Sequence, residues 1–504
     1  MTPLARSPTS LAQLREIEKT LAPSDLASEI RARVLVSGTF AYDLDQEEML
    51  EDEDSEPLSA SEKRRRVRMK AEKLGATAAS SPELLETLIP DLCSTGSSNG
   101  VFMFGLGIGM YHADMAGLLE AVRTHIESAG RSDLSLIWVR GLLSGWKNTD
   151  PDAVETFLDK AIDDVVWRDW FVELQIQMDL GARAFDRLLR GLDPGQCPTC
   201  QFAYLAIGRA TDPLTVLQIM LIANKLALRP DRGLFTAIDL LAMVIHCADK
   251  KDGQYKYELG EALIEFLGCI DWSLLIADYA QIDYDLGVIL AFAMQLAKSE
   301  NQVAPILRRM LPTDESDWVR YGDVRKNALK PFFQHFPRLA LELVCIPGED
   351  GTLQRARHLV SAPYSERSET VLGLVPTEVL IDWCNEKPDT RYAFAAEACK
   401  LFEKQDDEKT PLTISDSAAV LFASAPDKSA VLTEFVNRFF PRSWSGSFAK
   451  ILEARLPLLD QLDAIAHEVF RSEISAAKAD LQNRINAERE CEKKEEKAQN
   501  SSFE

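Results

Sequence analysis

The chain has 504 residues, 46% hydrophobic and 27% charged, with 56 basic against 79 acidic side chains and a formal net charge of −23. At roughly 150 residues per domain, that length fits about three domains or one extended array, and the composition is that of a soluble globular protein. The acidic surplus argues against a general grip on nucleic acid, which needs clustered Lys and Arg, and against adhesion to an anionic membrane surface.

The N-terminal stretch MTPLARSPTSLAQLREIEK has no apolar core of the kind a secretory signal needs. Residues 1–75 then alternate charge: an acidic run from Asp43 to Glu56 is followed by the basic run Lys63–Lys70. The acidic run lacks the glycine that a calcium-binding loop requires at its sharp turn. It reads as a solvated, partly disordered segment that neutralises the basic run beside it.

From residue 76 to 457 one theme repeats: an amphipathic stretch of helical period, a short break, and another such stretch. Ser81-Pro82-Glu83, Thr149-Asp150-Pro151 and Thr211-Asp212-Pro213 each offer a capping side chain and a proline suited to a first helical turn. Gly130, Gly191 and Gly195 supply stops. The Gly105-Leu-Gly107-Ile-Gly109 segment superficially suggests a dinucleotide fingerprint, but its third glycine comes one residue early and no βα units follow. Gly105 and Gly109 lie four apart, so on a helix they share a face and admit a close neighbour. Trp167, Trp170 and Phe171 fall at i, i+3 and i+4 and read as core, with Trp138 and Trp146 in the same aromatic cluster. The most apolar stretches, Leu214–Ile222 and Leu286–Ala297, are too short to cross a bilayer. Leu259, Leu263, Phe266, Leu267 and Ile270 form one apolar stripe, with Glu258, Glu261 and Glu265 elsewhere on the helix.

From about residue 458 a long helical pattern loses its apolar face near Ile485 and ends in a polar tail. Its apolar edge comprises Leu462, Ile465, Val469, Leu481 and Ile485. Period-two alternation is scarce, so the predicted fold is all-α: an irregular α-solenoid of stacked helical pairs, HEAT-like in character. The predicted organisation is a charged N-terminal segment (1–75), a helical array (76–457) and a C-terminal helix with its tail (458–504).

Chemistry-bearing motifs are few. Cys197-Pro-Thr-Cys200 is the sharpest, but a zinc site wants two further ligands at comparable spacing and a thioredoxin-type site wants a βαβ setting. Cys197 and Cys200 are therefore the candidate metal or redox residues, set against two turn cysteines preceding a helix at Ala203. Nine scattered cysteines read as reduced, mostly buried thiols, which together with the N-terminus points to the cytoplasm. There is no GxxxxGK[ST], no GxSxG and no kinase motif set, and His467-Glu468 is not completed to HExxH. Asp389, Glu397 and Lys400 have only a loose likeness to a nuclease pattern, in a helical setting. No catalytic residue and no cofactor are assigned.

The stretches RRRVRMKAEKLGATAASSPELLETLIPDL, FGLGIGM and AYLAIGRATDPLTVLQIMLIANKLALRPDRGLFTAIDLLAMVIH carry a family likeness. Over about residues 60–250 the chain resembles the C-terminal helical, sensor-like region of large bacterial STAND-type P-loop NTPases. That resemblance implies recognition or scaffolding in an antiviral defence assembly; because this sequence holds no P-loop, the chain is expected to be a stand-alone sensor subunit, a split-gene product acting with a separate NTPase or effector, or a remnant of such a protein. The function expected is a non-enzymatic, protein-binding scaffold or sensor. The alternatives are a metal- or redox-dependent protein built on Cys197 and Cys200, and a structural homo-oligomer nucleated by the C-terminal helix.

Overall fold

A computed structural model of the chain describes residues 23–35, 59–94, 99–130, 134–276, 280–311, 326–346, 360, 370–403, 412–441, 444–466 and 468–501. Among them are 23 α-helices and no strand, only an isolated bridge between Phe402 and Ile414. The fold is all-α, as the periodicity predicts. The chain forms two compact units, residues 1–240 and 241–504.

The first unit contains α1 (Leu26–Arg33), α2 (Ala60–Ala78), α3 (Pro82–Ser94), α4 (Asn99–Tyr111), α5 (Met115–Ala129) and α6 (Ile137–Thr149). It continues through α7 (Pro151–Ala161), α8 (Phe171–Gln175), α9 (Ala182–Gly191) and α10 (Val216–Ala227) into the start of α11 (Gly233–Cys247). The second unit takes up the rest of α11 and holds α12 (Gly253–Cys269), α13 (Ala280–Leu296), α14 (Glu300–Met310), α15 (Lys326–His335), α16 (Pro337–Val344) and α17 (Thr377–Glu386). It ends with α18 (Pro388–Ala398), α19 (Asp416–Ser424), α20 (Lys428–Asn437), α21 (Phe448–Arg455), α22 (Pro457–Ile465) and α23 (Arg471–Ser501).

Side-chain caps set many of the starts. Asp150 accepts from the Ala153 N–H with Pro151 in the first turn, as the sequence predicts. At Thr211-Asp212-Pro213 the start shifts by one turn. Thr215 caps α10 in a reciprocal box with Gln218, because Asp212 is engaged by the Arg209 guanidinium at 2.6 Å. Gly130 ends α5 at φ 78°, and Gly195 takes φ 80° in the turn after α9.

In both units the packed helix pairs lie one to three elements apart in the chain: α2–α4, α4–α6, α6–α8 and α9–α10 in the first, α13–α15, α18–α20 and α21–α23 in the second. This near-neighbour stacking is the pattern of a helical-repeat fold. The closest stacking is at α4, which lies between α2 and α6. A β-carbon on Gly105 would stand 1.9 Å from the Trp138 carbonyl oxygen, and one on Gly109 would stand 2.0 Å from that of Leu142. On its other side, a β-carbon on Gly107 would stand 2.1 Å from the Glu72 carbonyl oxygen, and one on Gly75 of α2 would stand 2.0 Å from that of Phe104. The glycine triplet is thus a packing device serving two neighbours.

A second device recurs along the chain. Helix C-termini leave carbonyls unpaired at the negative end of the dipole, and cations from a later element supply the donors. Arg229, just past α10, donates to the carbonyls of Leu192, Asp193 and Cys197 beyond α9. Arg309 of α14 donates to Gly268 and Ile270 at the end of α12, and Arg438 donates to Ala396 in the last turn of α18. These links reach back 32–42 residues, the length of a helix pair with its connections.

Three expectations about organisation change. The Lys63–Lys70 run, assigned to a partly disordered zone, is helical and belongs to α2, whose C-terminal half packs on α4. The acidic run Asp43–Glu56 lies outside the described residues. The compositional boundaries near 75 and 457 are not packing boundaries; the packing divides at Leu240 and Leu241. The C-terminal pattern is two helices, α22 and α23, because the chain leaves helical geometry at Ala466 (ψ 145°). Ile474, Leu481 and Ile485 of α23 are buried, with α20, α21 and α22 as its packed neighbours. The Glu492 carboxylate accepts from Ser447 Oγ and the Ala449 N–H at the start of α21, and these bonds hold it below the usual carboxylate range.

Candidate protein-docking surface

Helix α10 reads VLQIMLIANKLA, apolar on nearly every side, and a helix apolar all round is ordinarily buried all round. Val216, Ile219, Ile222, Ala223 and Leu226 do face the core. The opposite side is open: Leu217 is 79% exposed, Leu221 41% and Leu228, at the C-cap, 86%. These three lie at i, i+4 and i+11, within about 40° of one another around the axis, with exposed Asn224 between them. They form one ridge about 16 Å long. Scattered single apolar residues on a surface are normal, whereas an aligned set marks an interaction face.

The turns at both ends of α10 are held in unusual backbone. Arg209 (φ 64°) precedes the helix and Arg232 (φ 63°) follows it, and they are the two non-glycine residues with positive φ among the described residues. Arg209 is fixed by Asp212, and the Arg232 guanidinium lies 4.9 Å from the Phe235 ring centroid. Left-handed backbone in a non-glycine residue costs energy and persists only where surrounding contacts over-determine it. Here it clamps α10 between two tight turns. Gly233, whose β-carbon would meet the Leu226 carbonyl at 1.9 Å, closes the second turn.

The segment leading into α10 contains the two candidate metal or redox cysteines. Cys197 is buried, packed near Gly191, Ile162 and Phe202, and burial pushes its thiol up to about 12. Cys200 is exposed on the 3-10 helix Thr199–Ala206, which takes the place of the helix predicted at Ala203. A CxxC redox centre needs an accessible, low-pKa attacking thiolate, conventionally its first cysteine; here the first is the sequestered one. No group of three or more His, Cys, Asp or Glu among the described residues is placed to hold a metal ion. All nine cysteines are free, five of them buried. His358 and His467 lie outside the described residues.

The segment is pinned from two directions. Asp231 accepts from the Thr199 N–H at 3.3 Å and pairs with Arg229. Burial opposes its charge, but the Thr199 and Arg229 hydrogen bonds hold its carboxyl down at about 2. On the other side, Glu173 of α8 is buried with its carboxylate 3.6 Å from the Arg140 guanidinium, which lies 5.7 Å from the Tyr204 ring. Burial raises Glu173 above the usual carboxylate range, against the opposing pull of Arg140 and Tyr204. Burial and the Glu173 charge push the Tyr204 hydroxyl up to about 12. A buried acid neutralised by a neighbouring guanidinium and a phenol held protonated make a fastening between α6, α8 and the 3-10 helix. They do not make a matched acid–base pair.

The aromatic cluster divides between core and edge. Trp138, Trp167 and Phe171 are buried, with Trp167 edge-on to Phe157 at 5.5 Å, while Trp146 and Trp170 are half-buried. No described helix is long and apolar enough to cross a membrane. The leucine ridge is the candidate feature that the sequence reading missed. Its signal was the lack of a polar side in residues 216–227, read there only as a stretch too short to span a bilayer.

No family model, no curated protein and no solved structure matches this chain.

Proposed function

We propose that the protein is a non-enzymatic helical scaffold that binds a protein partner through the exposed ridge of α10. The observation that carries this reading is the alignment of Leu217, Leu221 and Leu228 on the solvent side of a helix whose other side is already in the core. The occupant that fits is an amphipathic helix of the partner. A ridge of leucines at helical spacing packs into the groove between side-chain rows of a second helix. Burial of each leucine supplies roughly 1.5–3 kcal/mol before the cost of association is deducted. The clamped turns at Arg209 and Arg232 keep the ridge pre-organised, which lowers that cost.

The test is the triple replacement of Leu217, Leu221 and Leu228 by glutamate, examined by light scattering on the complex with the native partner. The expected result is an intact fold, with stability within about 0.5 kcal/mol as for surface positions, and loss of the complex. A collapse of stability with the same replacements would show instead that the ridge belongs to the core.

A narrower reading places this scaffold in a bacterial antiviral defence or signalling assembly, in the cytoplasm, beside a separate NTPase or effector. Its support is the likeness of residues 60–250 to the sensor region of STAND-type NTPases. Saturable ATP hydrolysis by the purified chain alone would overturn it. The competing homo-oligomer reading is less favoured because, of the apolar edge it relies on, Leu462, Leu481 and Ile485 are buried within the chain and only Ile465 is exposed among the described side chains.

A further inference from the structure

The N-terminal half of α2 breaks several local rules at once. Helix α2 carries seven cations (Lys63, Arg64, Arg65, Arg66, Arg68, Lys70, Lys73) against Glu62 and Glu72, in a chain whose net charge is −23. Arg64, Arg65, Arg66 and Arg68 are all exposed and make no ion pair, carbonyl bond or ring contact. Every other described arginine except Arg308 has such a partner. Arg64 and Arg68, and Arg66 and Lys70, stand four apart, where like charges repel. The cluster also lies toward the positive end of the helix dipole, where cations are disfavoured.

The placement of these side chains excludes a packing role. The face that buries Ala71, Leu74, Gly75 and Ala78 continues toward the N-terminus as Arg64, Val67 and Arg68. Arg64 and Arg68 are exposed and Val67 is only half-buried, so the packed face gives out over Arg64–Met69. That stretch is about 9 Å long. A local conflict left uncompensated among the described residues at Arg64, Arg65, Arg66 and Arg68 is the mark of a functional site.

We infer that the N-terminal half of α2 is a second docking surface, one that takes an acidic, leucine-containing segment of a protein partner. The guanidinium fork matches carboxylates bidentately, which accounts for the run of arginines. Met69, 57% exposed, and half-buried Val67 are interleaved with them and give an apolar partner residue something to cover. A phosphate backbone offers nothing to those two side chains, whereas a leucine of an acidic protein segment covers them. This surface is separate from the α10 ridge and does not depend on it.

The test uses the full chain and fluorescence anisotropy with two labelled probes of equal charge, a peptide of mixed glutamate, aspartate and leucine and a single-stranded RNA. The peptide is expected to bind more tightly than the RNA, with an affinity that falls as salt rises. Replacing Arg64, Arg65, Arg66 and Arg68 together by glutamine should weaken the peptide about tenfold or more, with the circular dichroism and melting profile unchanged. Met69→Ala should weaken it by a smaller factor, and Leu217→Glu should leave it unaltered, which separates this surface from the α10 ridge. Peptide binding that is absent, indifferent to the glutamine replacements, or weaker than that of the RNA overturns the inference.

Discussion

A methyl group added at Gly105 would sit 1.9 Å from the Trp138 carbonyl oxygen, a backbone atom of α6 that no side-chain rotation can move aside. In an exposed helix interior, Gly→Ala stabilises by about 1 kcal/mol; at this position we expect the opposite sign. Gly105→Ala should destabilise by roughly 1–3 kcal/mol or more, as overpacking does. Gly268→Ala, where a β-carbon meets nothing within 4 Å, should be neutral to slightly stabilising. Urea denaturation of the two variants checks the pair, and equal shifts would contradict the close stacking of α4. Asp231 gives a residue-scale prediction in pH. Its folded pKa is held at about 2, below the ordinary 3.8, so its stabilising effect is complete above the ordinary value. That effect is lost as pH falls toward the folded value. Asp231→Asn should therefore be less stable than the parent at neutral pH, and the gap should close on acidification below 3.8.

At the scale of the element, α23 shows how a charged, weakly amphipathic helix is held in place. Among its described side chains only Ile474, Leu481 and Ile485 are buried, and Glu492 caps α21 from it. Ile485→Ala should cost about 2–5 kcal/mol, the usual range for truncating a buried isoleucine, read by thermal denaturation. A change below 0.5 kcal/mol, as at a surface position, would mean that α23 is not docked as described. Helix α10 is the converse case. Its composition predicts burial on every side, and its aligned exposed leucines are the reason to look for a partner there.

Across the whole molecule, packed pairs join helices close in sequence, and cations reach back one helix pair to satisfy the carbonyls left by an earlier helix. Stability in such an arrangement is a sum of local and nearest-neighbour contributions. A lesion in one unit should therefore stay local. In Ile485→Ala, hydrogen exchange should quicken in α20–α23 and remain unchanged in α4–α6. Acceleration spread evenly over both units would indicate a single cooperative block instead.

The sequence alone was enough for the all-α class, the stacked amphipathic helices, the packing role of Gly105 and Gly109 and the cap at Asp150–Pro151. Each depends on periodicity or on a few adjacent residues, and backbone sterics and local hydrogen bonds act at that range. Tertiary structure decided what periodicity cannot express. It moved the start of α10 to Thr215 because Arg209 captures Asp212. It buried Cys197 while exposing Cys200, and it consumed Leu481 and Ile485 inside the chain. It also left one face of α10 and one end of α2 uncovered. Whether an apolar or charged face is covered depends on residues tens of positions away, so a sequence pattern can show that a face exists but not what lies against it.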